Sequence, residues 1–315
     1  MALDLRVHSS ATADALTSLN KKFPVSNNCF LPIVGVTGSG KTTIIVNLFR
    51  LLNTIYRYTH IIYVAANYRQ DATLKASNLN QVVLEDELEF EKEEVGTKRV
   101  YTTSVDKLEP IIDFIYSLRE RFDKCCELHE KINELRGEIK RTREPEAKED
   151  LLAKLAQMQK LRERFTPTVD YSRPKVLLAI DDNSGARAFK VNCESNPTYR
   201  IIRDRRHHSV SVLACVHNLK SFYAPFRMHA TEFIFTAGLN GNILKDIYED
   251  FGNIFPVIND RVRLSKGNLK HQDLFIRIYE QVTGVNPPDP ARKYNFLMVF
   301  RGSGELRENF DKVIQ

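Results

Sequence analysis

One eight-residue stretch, GVTGSGKT from Gly35 to Thr42, limits what this chain can fold into more than any other. It fits G-x-x-x-x-G-K-[ST], the loop whose backbone amides cradle phosphates. Gly35, Gly38 and Gly40 are expected to turn the backbone at φ values that a side chain would forbid, with N–H groups pointing inward. Thr37, Ser39 and Thr43 complete the cradle, and the positive end of the following helix adds to it. Lys41 is placed to reach the β- and γ-phosphates, and Thr42 to offer its hydroxyl to Mg²⁺. An apolar run, Phe30 to Val34, leads in, and IIVNLFRLL (Ile44 to Leu52) follows with helical character. That is the strand–loop–helix context the motif requires; a Gly-rich turn without a ligand is the bland alternative. Pro32 is awkward inside a central strand and is read as marking the strand's start.

At 315 residues the chain is long enough for one large α/β core, or a core plus an appendage. No apolar run approaches bilayer length, and the N-terminus lacks a charged-then-apolar signal pattern, so an intracellular protein is expected. Cys29, Cys125, Cys126, Cys193 and Cys215 form no C-x-x-C pair and no zinc spacing, and are read as reduced thiols. The net charge of +6 is unevenly spread. Gln81 to Val95 carries net −6 and Lys107 to Arg164 net +1, which leaves +11 on the rest. A basic body suits a polyanionic partner, although the same excess can serve solubility alone.

Residues 1–28 read as a lead-in, with a short helix near Ala11 to Leu19. HIIYVAAN (His60 to Asn67) suits a buried parallel strand, one crossover helix away from the loop. Asn67 and Asp71 lie just past its end, where ligands bind in open α/β sheets; simple loop capping would also explain them. The acidic run Leu84 to Gly96 reads as a solvated face, and Lys98 to Thr103 as a short strand. From 107 to 165 apolar residues recur three or four apart, broken at Arg143-Glu144-Pro145. The pattern predicts two antiparallel helices, a projecting hairpin that is either a spacer or a contact for a neighbouring subunit or partner protein.

The second anchor is RPKVLLAIDDNSG, Arg173 to Gly185. Val176 to Ile180 form an apolar strand ending in two aspartates, the Walker B pattern. Asp181 is assigned to Mg²⁺, and Asp182 to orienting and polarising the attacking water. An Asx turn is the alternative for the pair taken alone. Arg200, Arg203, Arg205, Arg206, His207 and His208 then cluster within nine residues. The strand Ser209 to Val216 ends at His217, which is either a sensor of the γ-phosphate or a satisfied polar group. SFYAPFR (Ser221 to Arg227) reads as a linker and Thr231 to Ala237 as a strand. Asn242 to Phe251 reads as a helix, Gln281 to Pro290 as a turn-rich loop, and Tyr294 to Gly302 as a late strand.

With these motifs in order the chain resembles the FtsK/HerA superfamily, and within it the genome-packaging ATPases of poxviruses, other large DNA viruses and virophage-like relatives. The resemblance rests on four stretches: GVTGSGKT; the strand ending Asp181-Asp182; Arg206-His207 before the strand ending at His217; and FYAPFRMHATEFIF. It covers about residues 28–75 and 173–240. It implies a RecA-like (ASCE) P-loop NTPase core with a mainly parallel sheet of order 5-1-4-3-2. The α-helical hairpin read from periodicity at 107–165 is an insertion outside the family's common pattern, and no role for it is carried over. It also implies a ring-shaped homo-oligomer, a pentamer or hexamer, that uses ATP and Mg²⁺ to drive double-stranded DNA into a capsid, with capsid proteins as further partners.

In such rings an arginine reaches the neighbour's γ-phosphate. Arg227 is the candidate, as finger or sensor, with Arg206 next; an arginine bonding a nearby carboxylate is the alternative. Relatives usually carry glutamine where His217 stands. Arg203, Arg205 and Arg206 are the candidate DNA contacts.

The expected organisation is therefore a lead-in (1–28), a first core segment (29–106), the hairpin (107–165) and a second core segment (166–315). Two other functions share the P-loop. A small-molecule kinase would use the Tyr199 to His208 cluster as a lid, and a non-hydrolysing scaffold would bind nucleotide and recruit virion proteins.

Overall fold

The computed structural model describes residues 25–69, 72–77, 79–84, 99–165, 173–181, 189, 196–251, 270–285, 289, 292, 294–310 and 312–314. Asp71, Asp182, the short helix near Ala11 to Leu19 and nearly all of the acidic run lie outside them.

The elements follow in order. They are β1 (Phe30–Val34), α1 (Lys41–Tyr56), β2 (His60–Ala65), α2 (Ala72–Lys75), β3 (Asn80–Val83) and β4 (Arg99–Thr103), then α3 (Leu108–Arg141), α4 (Pro145–Phe165) and β5 (Val176–Asp181). After these come α5 (Pro197–His208), β6 (Val210–Val216), α6 (Ala224–His229), β7 (Glu232–Thr236), α7 (Gly241–Phe251), α8 (His271–Thr283), β8 (Phe296–Phe300), β9 (Leu306–Glu308) and β10 (Lys312–Val313).

The strands form one sheet in the order β10-β9-β8-β7-β1-β6-β5-β2-β4-β3. From β7 to β3 every pairing is parallel, and β8, β9 and β10 add on antiparallel. The five strands β7-β1-β6-β5-β2 reproduce the order 5-1-4-3-2 with the phosphate loop after the strand numbered 1 and Asp181 at the end of the strand numbered 3. This is the RecA-like ASCE arrangement, an α/β fold with a mainly parallel sheet.

Both faces of the central strands are covered, which is why they read as unbroken apolar runs. Leu31, Ile33, Leu177, Ala179, Leu213 and Cys215 pack with α1 on one side. Phe30, Val34, Leu178, Ile180, Val212 and Ala214 pack on the other with Ile111, Ile112 and Ile115 of α3 and with residues of α5 to α8.

Pro32 lies in the middle of β1 and does not start it. Phe30 both donates to and accepts from Thr231, so Phe30 and, two residues on, Pro32 turn their backbone groups towards β7. The β1–β7 register begins only at Ile33, so the missing N–H falls before that pairing.

The helical hairpin forms between β4 and β5, linked by Thr142 to Glu144, with Pro145 opening α4. Its base does not project, because α3 residues from Leu108 to Leu118 belong to the main core. Farther out, Cys125, Leu128 and Ile132 are buried, whereas α4 buries no residue fully. Cys126 points out and Cys125 in, as adjacent helix positions must.

SFYAPFR is not a linker. Its first residue closes a 3₁₀ turn (Leu219–Ser221), its last four open α6, and it sends Phe222 and Phe226 into the core. α8 also runs into the segment read as a turn-rich loop, as far as Thr283.

Candidate nucleotide site

β1, β5, β6 and β7 end at one edge of the sheet, fixed by the registers Val34↔Val216, Val34↔Phe235 and Ile180↔Ala214. The glycine loop leaves β1 there, and the Gly35 N–H is anchored on the Val216 carbonyl at 3.0 Å. Gly38 and Gly40 have φ of 76° and 88°, left-handed values that glycine adopts without strain. Gly35 differs: its φ is not positive, and a Cβ there would lie 1.8 Å from Thr236 Oγ1. Close approach, not left-handed backbone, therefore requires the first glycine. Thr236 Oγ1 donates to Ser39 Oγ at 2.7 Å and thereby ties the loop to β7.

Lys41 is buried, and its Nζ donates to the carbonyls of Gly35 and Val36 at 2.9 and 3.0 Å, inside the loop. Gly40 caps α1, whose first turn holds no acidic residue, so its free amides face the loop without a competing carboxylate. Thr37 and Gly38 are exposed at the tip, and Thr43 is half-buried on α1.

Thr42 Oγ1 donates to Asp181 Oδ2 at 2.7 Å. Tyr63 on β2 donates to the same oxygen at 2.8 Å. Asp181 is 3% exposed and Tyr63 1%, so the carboxylate is held on a dry platform. A hydroxyl beside a carboxylate is a donor set for a hard cation, and an amide-lined loop with an enclosed ammonium suits phosphates. These residues fit Mg²⁺ and the polyphosphate of ATP.

His217 follows β6 at the same edge, with its Nδ1 3.1 Å from the Gly35 carbonyl. Asn67 is exposed just beyond β2, also at this edge. Two further residues here carry no sequence signature. Tyr63 sits within an ordinary apolar strand. Tyr294, exposed, precedes β8 and brings its ring to 3.4 Å from where a Cβ on Gly40 would stand.

The arginines lie elsewhere. Arg227 pairs with Asp250 of α7 at 2.9 Å and donates to the Phe222 carbonyl at 2.9 Å, the carboxylate partnership that was its alternative reading. α5 ends just before β6 begins, at the amino-terminal edge of the parallel strands. The cluster it carries is therefore no lid over the phosphate loop. Arg205 is 5% exposed and spends its guanidinium on the carbonyls of Asn28 and Ile202, at 2.9 and 2.8 Å. Burial removes it from the candidate DNA contacts, since it fastens α5 to the chain entering β1. Arg206 is exposed, and Arg203 grips Asp204 through two bonds of 2.8 and 3.0 Å.

No protein-family model and no curated protein matches the chain. Similar solved structures include the genome packaging NTPase B204 from Sulfolobus turreted icosahedral virus 2 in complex with ATP-gammaS, at 13% identity over 92% of this chain and 100% of that one, TM-score 0.46. B204, the DNA-packaging ATPase from Sulfolobus Turreted Icosahedral Virus, aligns at 14% identity over 90% and 98%, TM-score 0.43. The cytoplasmic domain of the Thermomonospora curvata Type VII secretion ATPase EccC aligns at 15% identity over 86% of this chain and 24% of that one, TM-score 0.40. The fold assignment rests on the strand order above. No helix among the described residues is long and apolar enough to cross a membrane.

Proposed function

We propose that this chain is an ATP-driven translocase that packages viral double-stranded DNA into a capsid, working as a homo-oligomeric ring whose nucleotide sites are completed by neighbouring copies. The observation that carries the hydrolase part is the 2.7 Å bond from Thr42 to Asp181, which brings two motifs 139 residues apart to one point beside Lys41. The packaging part draws on the four motif stretches and the basic body of the chain.

Lys41 and the loop amides hold the phosphates. Thr42 and Asp181 hold Mg²⁺, which when bound neutralises charge on the phosphate oxygens. Asp182 orients and polarises the water that attacks the γ-phosphate in line. His217, bonded to the loop at Gly35, reports the phosphate's presence to β6. Arg227 acts from a neighbouring subunit after exchanging Asp250 for phosphate, and Arg206 is the second candidate for that task. Arg203 and Arg206 contact the DNA backbone, so binding weakens steeply with salt and ignores sequence. Capsid proteins dock on the ring.

ATP turnover measured with and without duplex DNA tests the reading. Stimulation by DNA supports a translocase; tight ATP binding without turnover, DNA present, supports a scaffold. Phosphoryl transfer to a small acceptor supports a kinase, although α5 lies at the wrong edge to form its lid.

A further inference from the structure

At the edge of the sheet opposite the phosphate loop lies a cavity of about 840 Å³. A strand of five residues, roughly 16 Å, separates the two edges. Its walls come from separate parts of the chain: the last turns of α5, the end of α6, the start of β7 and the turn after β8. Arg203, Arg206 and His207 enter from α5, His229 from α6 and Arg301 from the turn. Cations in the last turn of a helix are ordinary, since they offset its dipole. That covers His229 at the end of α6 as well, but not Arg301, which the turn after β8 delivers, nor the convergence of two helix ends and that turn on one space.

The cationic heads are positioned in advance. Arg203 is gripped by Asp204 and Arg301 by the Met228 carbonyl, while Arg205 is built into the wall. Burial, and after it Arg205, Arg203 and Arg301, press the His229 imidazole below its usual range, as expected where several positive charges converge. Among the described residues the one carboxylate lining the cavity is Glu232, 4% exposed and bonded by Thr231. Among the described lining residues, four arginines face this acid, and with the Asp204 carboxylate that holds Arg203 counted as well the balance is still positive. The volume lies within the range of small-ligand sites.

We propose that this cavity is a second phosphate site, taking the phosphoryl group of a nucleic-acid backbone or of a free phosphorylated ligand on Arg203, Arg206 and Arg301. The nucleic-acid source rests on the translocase reading; the site itself does not. An arriving anion favours charged His229 and a neutral Glu232, whose carboxyl burial already pushes up to about 7. Both act in one direction. Asp204, the other acid on α5 near these groups, stays ionised in its pair with Arg203, which lowers its proton affinity. Phosphate affinity therefore falls as pH rises from about 6 to about 8.

The test is calorimetric titration of inorganic pyrophosphate into full-length protein carrying Lys41→Ala, which silences the first site. Binding persists in that background. It weakens about tenfold or more when Arg203→Gln and Arg301→Gln are added, the scale of charge-assisted hydrogen bonds. Arg206→Gln, at an exposed position, gives the same direction without risk to folding, and melting curves confirm that each variant is folded. Glu232→Gln flattens the pH dependence and tightens binding at pH 8. Parallel weakening of a fluorescent 20-base-pair duplex identifies the nucleic-acid source; weakening of pyrophosphate alone identifies a free phosphate. Loss of all pyrophosphate binding in Lys41→Ala, or less than about a twofold change in the folded arginine variants, overturns the proposal. A chain that hydrolyses no ATP leaves this result untouched, so the two readings fail separately.

Discussion

Thr42 Oγ1 and Asp181 Oδ2 meet at 2.7 Å, joining the first turn of α1 to the last residue of β5. Tyr63 fixes the same carboxylate oxygen from β2. Removing that hydroxyl with Tyr63→Phe leaves the fold and the cation donors in place but releases Asp181's orientation. ATP turnover should drop about three- to tenfold, the worth of one hydrogen bond near 1 kcal/mol, with a higher Mg²⁺ concentration needed for half-maximal rate. A Mg²⁺ titration of steady-state turnover checks this, and an unchanged Mg²⁺ requirement would count against the positioning role.

Gly35 and Gly38 of the loop should respond differently. Gly35→Ala forces a methyl group into Thr236 Oγ1, and ATP binding should be lost or the protein destabilised. Adding Thr236→Ala should recover part of that loss, since the hydroxyl is the nearest obstacle. Gly38→Ala meets open space and pays only the left-handed backbone cost of about 1–2 kcal/mol. A double-mutant cycle on ATP affinity should find coupling between positions 35 and 236 and none between 38 and 236.

Glu232 gives a pH signature. Its folded-state carboxyl lies near 7, raised from 4.5 by burial and partly offset by Thr231 and Arg205. A raised value means stability that is complete below about pH 4.5 and lost as pH climbs through 7. Glu232→Gln should therefore melt like the parent near pH 5 and higher than it at pH 8, by up to about 3 kcal/mol. His208 and His229 act at the other end, because burial lowers both and stability falls as pH drops below about 6.5. Thermal melts from pH 5 to 8.5 would contradict this assignment if the variant and parent curves stayed parallel.

Arg227 is bonded to Asp250 within its own subunit, so its proposed action on a neighbour requires that pair to open. Mixing Arg227→Ala subunits with Asp182→Ala subunits should restore part of the ATPase activity that each lacks alone. Absence of rescue at every ratio would leave Arg227 as a brace between α6 and α7.

Much of this architecture was legible in the sequence because burial on both faces leaves a plain mark. The apolar runs at Phe30, His60, Val176 and Val210 are the central strands, and the loop and Asp181 sit at their ends. Leu128 was equally readable, since it fills the long step between Cys125 and Ile132. Less legible were the elements that bury little. β3 is a four-residue edge strand with no fully buried residue, and β10 is a two-residue strand exposed throughout. Charge misled at Arg205, where composition suggests a surface cation and the fold uses the guanidinium to bond two carbonyls. Tyr63 and Thr236 were invisible as site residues because their roles come from register between strands distant in sequence, and nothing local records it.

The central claim is a Mg·ATP motor site built on Lys41, Thr42 and Asp181, in a chain that works on DNA. Steady-state ATP hydrolysis with and without long duplex DNA, for the parent chain and for Lys41→Ala, tests it most directly. Hydrolysis that depends on Mg²⁺, rises with DNA and disappears in a folded Lys41→Ala protein is the predicted result. Full turnover in Lys41→Ala, or a parent rate that DNA leaves unchanged, would contradict the account.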